Sequence, residues 1–283
     1  MYLFKKVNDL HQYLNKIRKK GGNIGFVPTM GALHEGHLSL IRQSVKANDC
    51  TVCSIFVNPT QFNDTADLEK YPRTVAKDMA MLTSAENDVL FLPDVHEVYP
   101  PELDTSLEFD FGELATVMEG FFRPGHFDGM AQVVKRLLDI VQPHSLYMGQ
   151  KDFQQLAIVR RMLVQLKMPV NLIMCAIIRE DDGLAMSSRN VRLDPALREK
   201  ALLLSQTLQK AKAKMASKTP AEIQKWALKQ LSIPSFKPEY FEIADAVTLQ
   251  PIKKFSDSDY VVACTAVWVG EIRLIDNLIF KEE

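Results

Sequence analysis

The sequence predicts an α/β fold: a doubly wound parallel sheet with a second, smaller α+β domain at its C-terminal end. Three observations predict it. From Ile24 to Ile178, short apolar runs alternate with segments of helical period, the pattern of strand–helix–strand units. After Ile178 the order changes to long amphipathic helices and then strands joined by turns such as Val269-Gly270-Glu271, which is α+β in character. The chain has 283 residues, 47% hydrophobic and 24% charged, an ordinary globular composition and a length that suits one large domain plus a smaller one.

Taken in order, a helix is expected over Val7 to Lys19, before the first strand, Ile24 to Val27. Pro28 closes that strand because proline cannot donate to a sheet ladder. Gly31 and Gly36 allow a tight turn, and from Gly36 the apolar residues Leu38, Leu40, Ile41 and Val45 fall at helical spacing. A strand over Thr51 to Val57 runs into Asn58 to Asn63. Thr74 to Ala85 reads as helix, Val89 to Leu92 as strand, and Ser106 to Asp128 as irregular chain. Gly129 to Val141 is helical in period, followed by strand (Ser145 to Met148), helix (Asp152 to Leu166) and strand (Val170 to Ile178). The boundary is placed at Ile177, giving domains 1–177 and 178–283. In the second, Arg179 to Arg192 is loop, Pro195 to Ala216 and Pro220 to Leu231 are helices, and Tyr240 to Ile243, Asp259 to Val269 and Glu271 to Phe280 are strands.

The formal net charge of −1 gives no reason to expect nucleic acid or an anionic membrane as partner. The start lacks the build of a signal peptide, and no apolar run is long enough to span a bilayer, so a soluble cytoplasmic protein is the default expectation. Four cysteines are too few and scattered for a disulfide framework. Cys50 and Cys53 resemble a C-x-x-C pair, yet they open an apolar run, and small buried residues is the preferred reading.

Candidate chemistry sits at four places. His34 and His37 lie three apart at an expected helix start, after Met30 and Gly31. They can be solvated loop residues, a zinc pair, or imidazoles donating to phosphate at a helix N-terminus. H-E-G-H is one residue short of the H-E-x-x-H zinc motif and no third ligand stands out, so metal is disfavoured. The other places are Gln61 past the second strand, Gly149 to Gln155 where a strand meets a helix, and Ala185 to Asn190 near the domain junction. Each also has a purely structural reading: Asp152 and Gln155, for example, have the spacing of a capping box. No P-loop is present. Their joint placement at strand ends and at the junction favours function, because ligands of doubly wound (Rossmann-like) sheets bind beyond the carboxyl ends of the strands.

H-E-G-H after P-T-M-G-A-L, with M-S-S-R following the last strand of the first domain, resembles the paired signatures of the class I nucleotidyl-transfer superfamily. The set P-T-M-G-A-L-H-E-G-H, F-V-N-P-T-Q-F, F-R-P-G-H-F-D-G, G-Q-K-D-F-Q-Q and L-A-M-S-S-R-N resembles, within it, the pantoate–β-alanine ligase family over nearly the whole chain. Ser188 and Arg189 stand where many superfamily members carry Lys-Ser, which is this family's own form.

The resemblance implies ATP-dependent synthesis of pantothenate, for coenzyme A, through a pantoyl-adenylate. It assigns to ATP the residues Met30, Gly31, Ala32, Leu33, His34, Glu35, Gly36 and His37, then Gly149, Gln150, Lys151, Asp152 and Ile178, and Met186, Ser187, Ser188 and Arg189. Gln61 and Gln155 go to pantoate, with Gln61 also near β-alanine, and Asn58 and Arg123 are further pantoate candidates. Catalysis is expected from His34, His37, Lys151 and Arg189, which with Mg²⁺ carried by the nucleotide offset the repulsion between carboxylate and polyphosphate. No metal ligands of the protein's own are expected, and the family implies a homodimer. The labile adenylate calls for a lid, expected from the Gly183 to Asn190 loop and the C-terminal domain, with a hinge near Ile178 to Gly183. The rivals are another adenylate-forming or nucleotidyl-transferring enzyme and a non-catalytic nucleotide-binding regulator.

Overall fold

The computed structural model describes residues 1–61, 68–69, 71–103 and 109–282. Phe62 and Asn63 of the expected loop, and Ser106 at the start of the expected irregular stretch, lie outside the described residues. The chain divides into two compact units: 1–111, 125–149 and 158–176 form the first, and 112–124, 150–157 and 177–283 the second.

The first unit is built on a six-stranded parallel sheet in the order β1-β4-β3-β2-β5-β6. Its strands are β1 (Tyr2–Phe4), β2 (Ile24–Thr29), β3 (Cys50–Ile55), β4 (Val89–Phe91), β5 (Ser145–Gly149) and β6 (Asn171–Cys175). Every residue of β3 and β4 is buried, as near-continuous apolar runs covered on both faces require. The helices are α1 (Val7–Lys19), α2 (Glu35–Ala47), α3 (Val75–Ser84), α4 (His126–Val141) and α5 (Phe153–Gln165), the first turn of α5 belonging to the second unit. From β2 the chain steps outward through β3 to β4, then returns to β5 on the other side of β2. That reversal is the topological switch point of the sheet, where doubly wound folds place their ligands. The loop after β2 and the turn after β5 both start there.

Two details of the strands differ from the sequence expectation. Pro28 lies inside β2, opposite Ser54, instead of ending it. On its other side β2 pairs with β5 only through Gly25 and Phe26, so no ladder bond is asked of a proline beyond them. β1, unforeseen, is a short edge strand on β4, largely exposed and therefore without a burial pattern to betray it. No helix among the described residues is long and apolar enough to cross a membrane.

The second unit carries an antiparallel sheet, β7 (Phe236–Asp245), β8 (Val261–Val269) and β9 (Ile272–Lys281), with β8 central. Helices α6 (Pro195–Lys200), α7 (Leu203–Ala213) and α8 (Pro220–Leu231) go with it. Leu204, Leu208, Ile223, Ala227, Phe241, Ile243, Val261 and Val267 form its core. The single helix expected over Pro195 to Ala216 is two, because the Leu204 N–H reaches back only to the Ala201 carbonyl and tightens the turn there. β7 starts earlier than expected, since Pro238 sits at a bulge of this edge strand, where proline is tolerated.

Gly112–Pro124 and Gln150–Ala157 belong with the second unit, whereas the sequence reading placed both in domain 1–177. Aromatic contacts of Phe122 with Tyr240 and Phe153 with Tyr260 join them to the second unit, and so do polar pairs. Glu119 pairs with Arg273 of β9 through both carboxylate oxygens (2.6 and 2.8 Å), and Gln150 exchanges hydrogen bonds with Asn277. Pairings so distant along the chain have no periodicity to read.

Candidate functional site

The loop between β2 and α2 is held from three sides. Gly31 has φ of 85° and Ala32 of 49°, so the chain turns through the left-handed region at Gly31 and Ala32, a conformation that costs a non-glycine residue about 1–3 kcal/mol and persists only where its surroundings enforce it. Here Asp78 of α3 enforces it: its carboxylate accepts the N–H groups of Ala32 (3.0 Å) and Leu33 (2.9 Å) and the hydroxyl of Thr74 (3.0 Å). Thr29 accepts the Gly31 N–H (3.2 Å) and donates to the Ser54 carbonyl (2.7 Å). A Cβ on Gly31 would come within 3.1 Å of Ile55 and 3.2 Å of Asp78. Gly36, expected to share the turn, instead lies in the first turn of α2.

The two histidines cap that helix. The Gly36 N–H donates to His34 Nδ1 (3.1 Å), and the His34 N–H donates to His37 Nδ1 (3.3 Å), a reciprocal arrangement like a capping box. Their rings lie 4.1 Å apart between centroids. An Nδ1 that accepts an N–H bears no proton, so the hydrogen bonds select the Nε2–H tautomer in both rings. Capping and an Nε2–H donor are compatible, which is why the structural and chemical readings of His34 and His37 need not exclude one another.

Gln61 stands at the end of a short turn, Pro59–Gln61. Its amide donates to Met30 Sδ (3.1 Å), and its backbone carbonyl hydrogen-bonds His126 Nδ1 (3.0 Å). Asn58 is 0% exposed. Its side-chain NH₂ reaches Thr60, Gln61 Oε1 and the Gly129 carbonyl, and its oxygen accepts the Tyr99 hydroxyl (3.2 Å). Asn58 thus ties Gln61 to Thr60, Gly129 and Tyr99. Burial pushes the Tyr99 hydroxyl up to about 12, so it remains a donor. α4 closes on this turn at Gly129, where a Cβ would meet the Thr60 carbonyl oxygen at 2.5 Å.

In the second unit, Gln150–Asp152 form a single 3₁₀ turn before α5. The Asn277 amide donates to the carbonyls of Gln150 (2.9 Å) and Lys151 (2.8 Å) and accepts from the Gln150 side chain (3.1 Å). Lys151 makes no ion pair among the described residues. Gln155 is half-buried. Its neighbour Gln154 is consumed by structure, donating to the Leu114 and Val117 carbonyls and accepting the Glu119 N–H.

Residues 178–186 form a small hairpin. The Met186 N–H donates to the Ile178 carbonyl and the Glu180 N–H to that of Leu184. Arg179 clasps Asp276 with both guanidinium nitrogens (2.7 and 3.0 Å), while Arg198 pairs with Glu180 and Asp182. Asn190 anchors the far end on Glu180 and the Ala185 carbonyl. Met186 to Arg189 are therefore carried between two fixed points. The segment expected to hinge, Ile178 to Gly183, carries the ion pairs of Arg179, Glu180 and Asp182.

Arg123 lies 3.6 Å from Glu119. Burial pulls its guanidinium below the usual range; the nearby cations Arg273 and Arg189 pull the same way, while Glu119 and Asp152 oppose them. Burial pushes Glu119 up, but Arg273, Tyr240 and Arg123 outweigh it and hold the carboxyl below its ordinary 4.5. Tyr240, donating to Glu119 at 2.7 Å, is pushed far up by burial and that carboxylate. All four cysteines are free and buried, and burial pushes Cys50 and Cys53 to about 12, as small core residues would be.

Asp78, Glu119, Arg273, Asp276 and Asn277 are the supports that sequence reasoning missed. One signal was available: Asp276 and Asn277 are consecutive polar residues inside the apolar run of β9, and both are buried. A buried polar pair in an apolar strand is informative in a way that an exposed one is not.

A family model for pantoate-beta-alanine ligase matches residues 2–279. The chain belongs to that family. The pantothenate synthetase of Bacteroides thetaiotaomicron is 50% identical over the whole of both chains, and that of Porphyromonas gingivalis strain W83 is 47% identical, also over the whole of both. Among solved structures, pantothenate synthetase from Thermus thermophilus superposes with a TM-score of 0.92 at 39% identity, covering 99% of this chain and 100% of that one. Pantoate-beta-alanine ligase from Francisella tularensis, complexed with beta-gamma ATP and beta-alanine, gives 0.82 at 34% identity, covering 99% and 98%. Membership makes the chain a ligase that forms an amide bond, joining pantoate to β-alanine as pantothenate.

Proposed function

We propose that this ligase works in two steps driven by ATP. A carboxylate oxygen of (R)-pantoate attacks the α-phosphorus, the bond to the β-phosphate oxygen breaks, and pyrophosphate leaves. The amine of β-alanine then attacks the acyl carbon of the pantoyl-adenylate; AMP departs with the bonding pair and the nitrogen loses a proton. The observation that carries the reading is the Francisella relative, similar over the full length, which holds beta-gamma ATP together with beta-alanine.

In this reading Met30 to His37 receive the nucleotide, and the Nε2–H groups of His34 and His37 donate to phosphate oxygens. Lys151 and Arg189 offset the charge of the triphosphate, with Gly149 to Asp152, Ile178 and Met186 to Ser188 as further nucleotide contacts. Gln61 and Gln155 orient pantoate through neutral amides, which leaves the nucleophile's charge unpaired and available. Gln61 also approaches β-alanine. Asn58 and Arg123 are further pantoate contacts, Asn58 also holding Gln61 and Arg123 adding positive charge near Arg189. Proximity does most of the work of the second step. Among the described residues no three His, Cys, Asp or Glu side chains cluster as a metal site. Mg²⁺ would enter on the nucleotide. A cytoplasmic homodimer is the setting inferred for the reaction.

Exchange of labelled pyrophosphate into ATP tests the scheme. Exchange that requires pantoate and proceeds without β-alanine is the expected result. Pantothenate formation with no pantoate-dependent exchange, or with ADP as product, would refute the adenylate.

A further inference from the structure

Asp276 and Asn277 are neighbours on β9, 3% and 2% exposed. Asp276 Oδ1 accepts both the Asn277 N–H (2.8 Å) and one Arg179 nitrogen (3.0 Å), and its Oδ2 accepts the other at 2.7 Å. The Asn277 side chain spends both its donors and its acceptor on the Gln150–Lys151 turn. One dipeptide thus grips two separate segments, the turn that carries Lys151 and the hairpin that leads into Met186 to Arg189. Stapling the unit together does not require this chemistry, because well-packed apolar residues stabilise a buried position at least as well as an ion pair does. What a carboxylate and an amide add is direction: they set where two backbone turns lie to within a hydrogen bond.

We propose that Asp276 and Asn277 are positioning residues for the adenylation step, setting Lys151 and Arg189 at one mutual spacing so that the two cations act on the triphosphate as a unit. The inference rests on the assignment of Lys151 and Arg189 to ATP made above. The hydrogen bonds of Asp276 and Asn277 named above all go to protein groups. Their effect passes through backbone placement, and a misplacement near 1 Å is enough to cost on the order of 100-fold in rate.

The test is pantoate-dependent pyrophosphate exchange by the full-length enzyme, comparing N277A, N277D and D276N with K151A and R189A, alone and in pairs. N277A is expected to lower kcat/KM for ATP on the order of 10- to 100-fold, with KM for β-alanine in the full reaction changing less than about twofold. N277D sets a carboxylate against two carbonyl oxygens and loses more. D276N, which keeps the shape and an oxygen for the Asn277 N–H, raises KM for ATP. Because the residues act through Lys151 and Arg189, N277A in K151A and D276N in R189A lose no more than the single cation variants. ATP parameters of N277A and D276N within about twofold of wild type, or fully additive losses in the pairs, would overturn the proposal. Should N277A fail to melt cooperatively, D276N and its pair with R189A decide alone. Wild-type exchange in both K151A and R189A would instead overturn the underlying assignment, so the two failures are distinguishable.

Discussion

Asp78 offers the sharpest test of how the β2–α2 loop is held. It is 1% exposed, and its carboxylate accepts two backbone N–H groups at 3.0 and 2.9 Å and a threonine hydroxyl at 3.0 Å. Hydrogen bonds to a charged group contribute about 1.5–3 kcal/mol each. In D78A the freed N–H groups of Ala32 and Leu33 regain some water as the loop relaxes, which brings the expected loss of unfolding free energy to about 3 kcal/mol. D78N keeps one oxygen and is expected to lose about half as much. The left-handed turn at Ala32 loses its enforcement, so the chain ahead of His34 shifts and kcat/KM for ATP falls on the order of 100-fold. Urea denaturation followed by far-UV circular dichroism, which reads the helices of both units, measures the first quantity and pyrophosphate exchange the second. Wild-type values of both in D78A would show that the loop holds its shape without the carboxylate.

The remaining predictions concern Gly129, Gln155 and Glu119. G129A forces a Cβ to within 2.5 Å of the Thr60 carbonyl oxygen, costing about 1–3 kcal/mol and displacing Gln61. Its melting temperature should fall and its KM for pantoate rise, with KM for ATP nearly unchanged. Q155A is expected to weaken pantoate binding and adenylate formation while leaving ATP affinity intact, by calorimetric titration of each ligand; equal loss of both affinities would count against it. The Glu119 carboxyl is held below its ordinary 4.5 by Arg273 against the opposing push of burial. Its contribution to stability is therefore full above about pH 4.5 and lost as pH falls through the folded-state value. The stability gap between wild type and E119Q should be largest at neutral pH and shrink in acid, which urea titrations from pH 7 to pH 3 would measure.

Local pattern sufficed for much of the fold. The ends of α1 and α8 match the expected Val7 to Lys19 and Pro220 to Leu231, because amphipathic period and a proline at the first helical position are written in neighbouring residues. β3, β4 and β5 were legible as apolar runs between breakers. β1 was not, since a three-residue exposed edge strand has no pattern of its own. Nor was the split of Pro195 to Ala216, since both halves keep the helical period and only the hydrogen bonds at Ala201 break.

The motifs also placed His34, Gln61, Lys151 and Met186 to Arg189 at strand ends or on a loop at the junction, because such residue types at such positions are recognisable from spacing and resemblance. What holds those side chains was decided only in three dimensions. Asp78 lies 46 residues from Ala32, Arg179 lies 97 from Asp276, and Glu119 lies 154 from Arg273. A hydrogen bond has no period and leaves no trace in the residues between its partners. The sequence by itself determined the chemistry that this ligase can present, through residue types and local turns. Tertiary structure alone determined which buried carboxylates and amides give that chemistry its geometry, because direction and distance exist only once the chain has closed on itself.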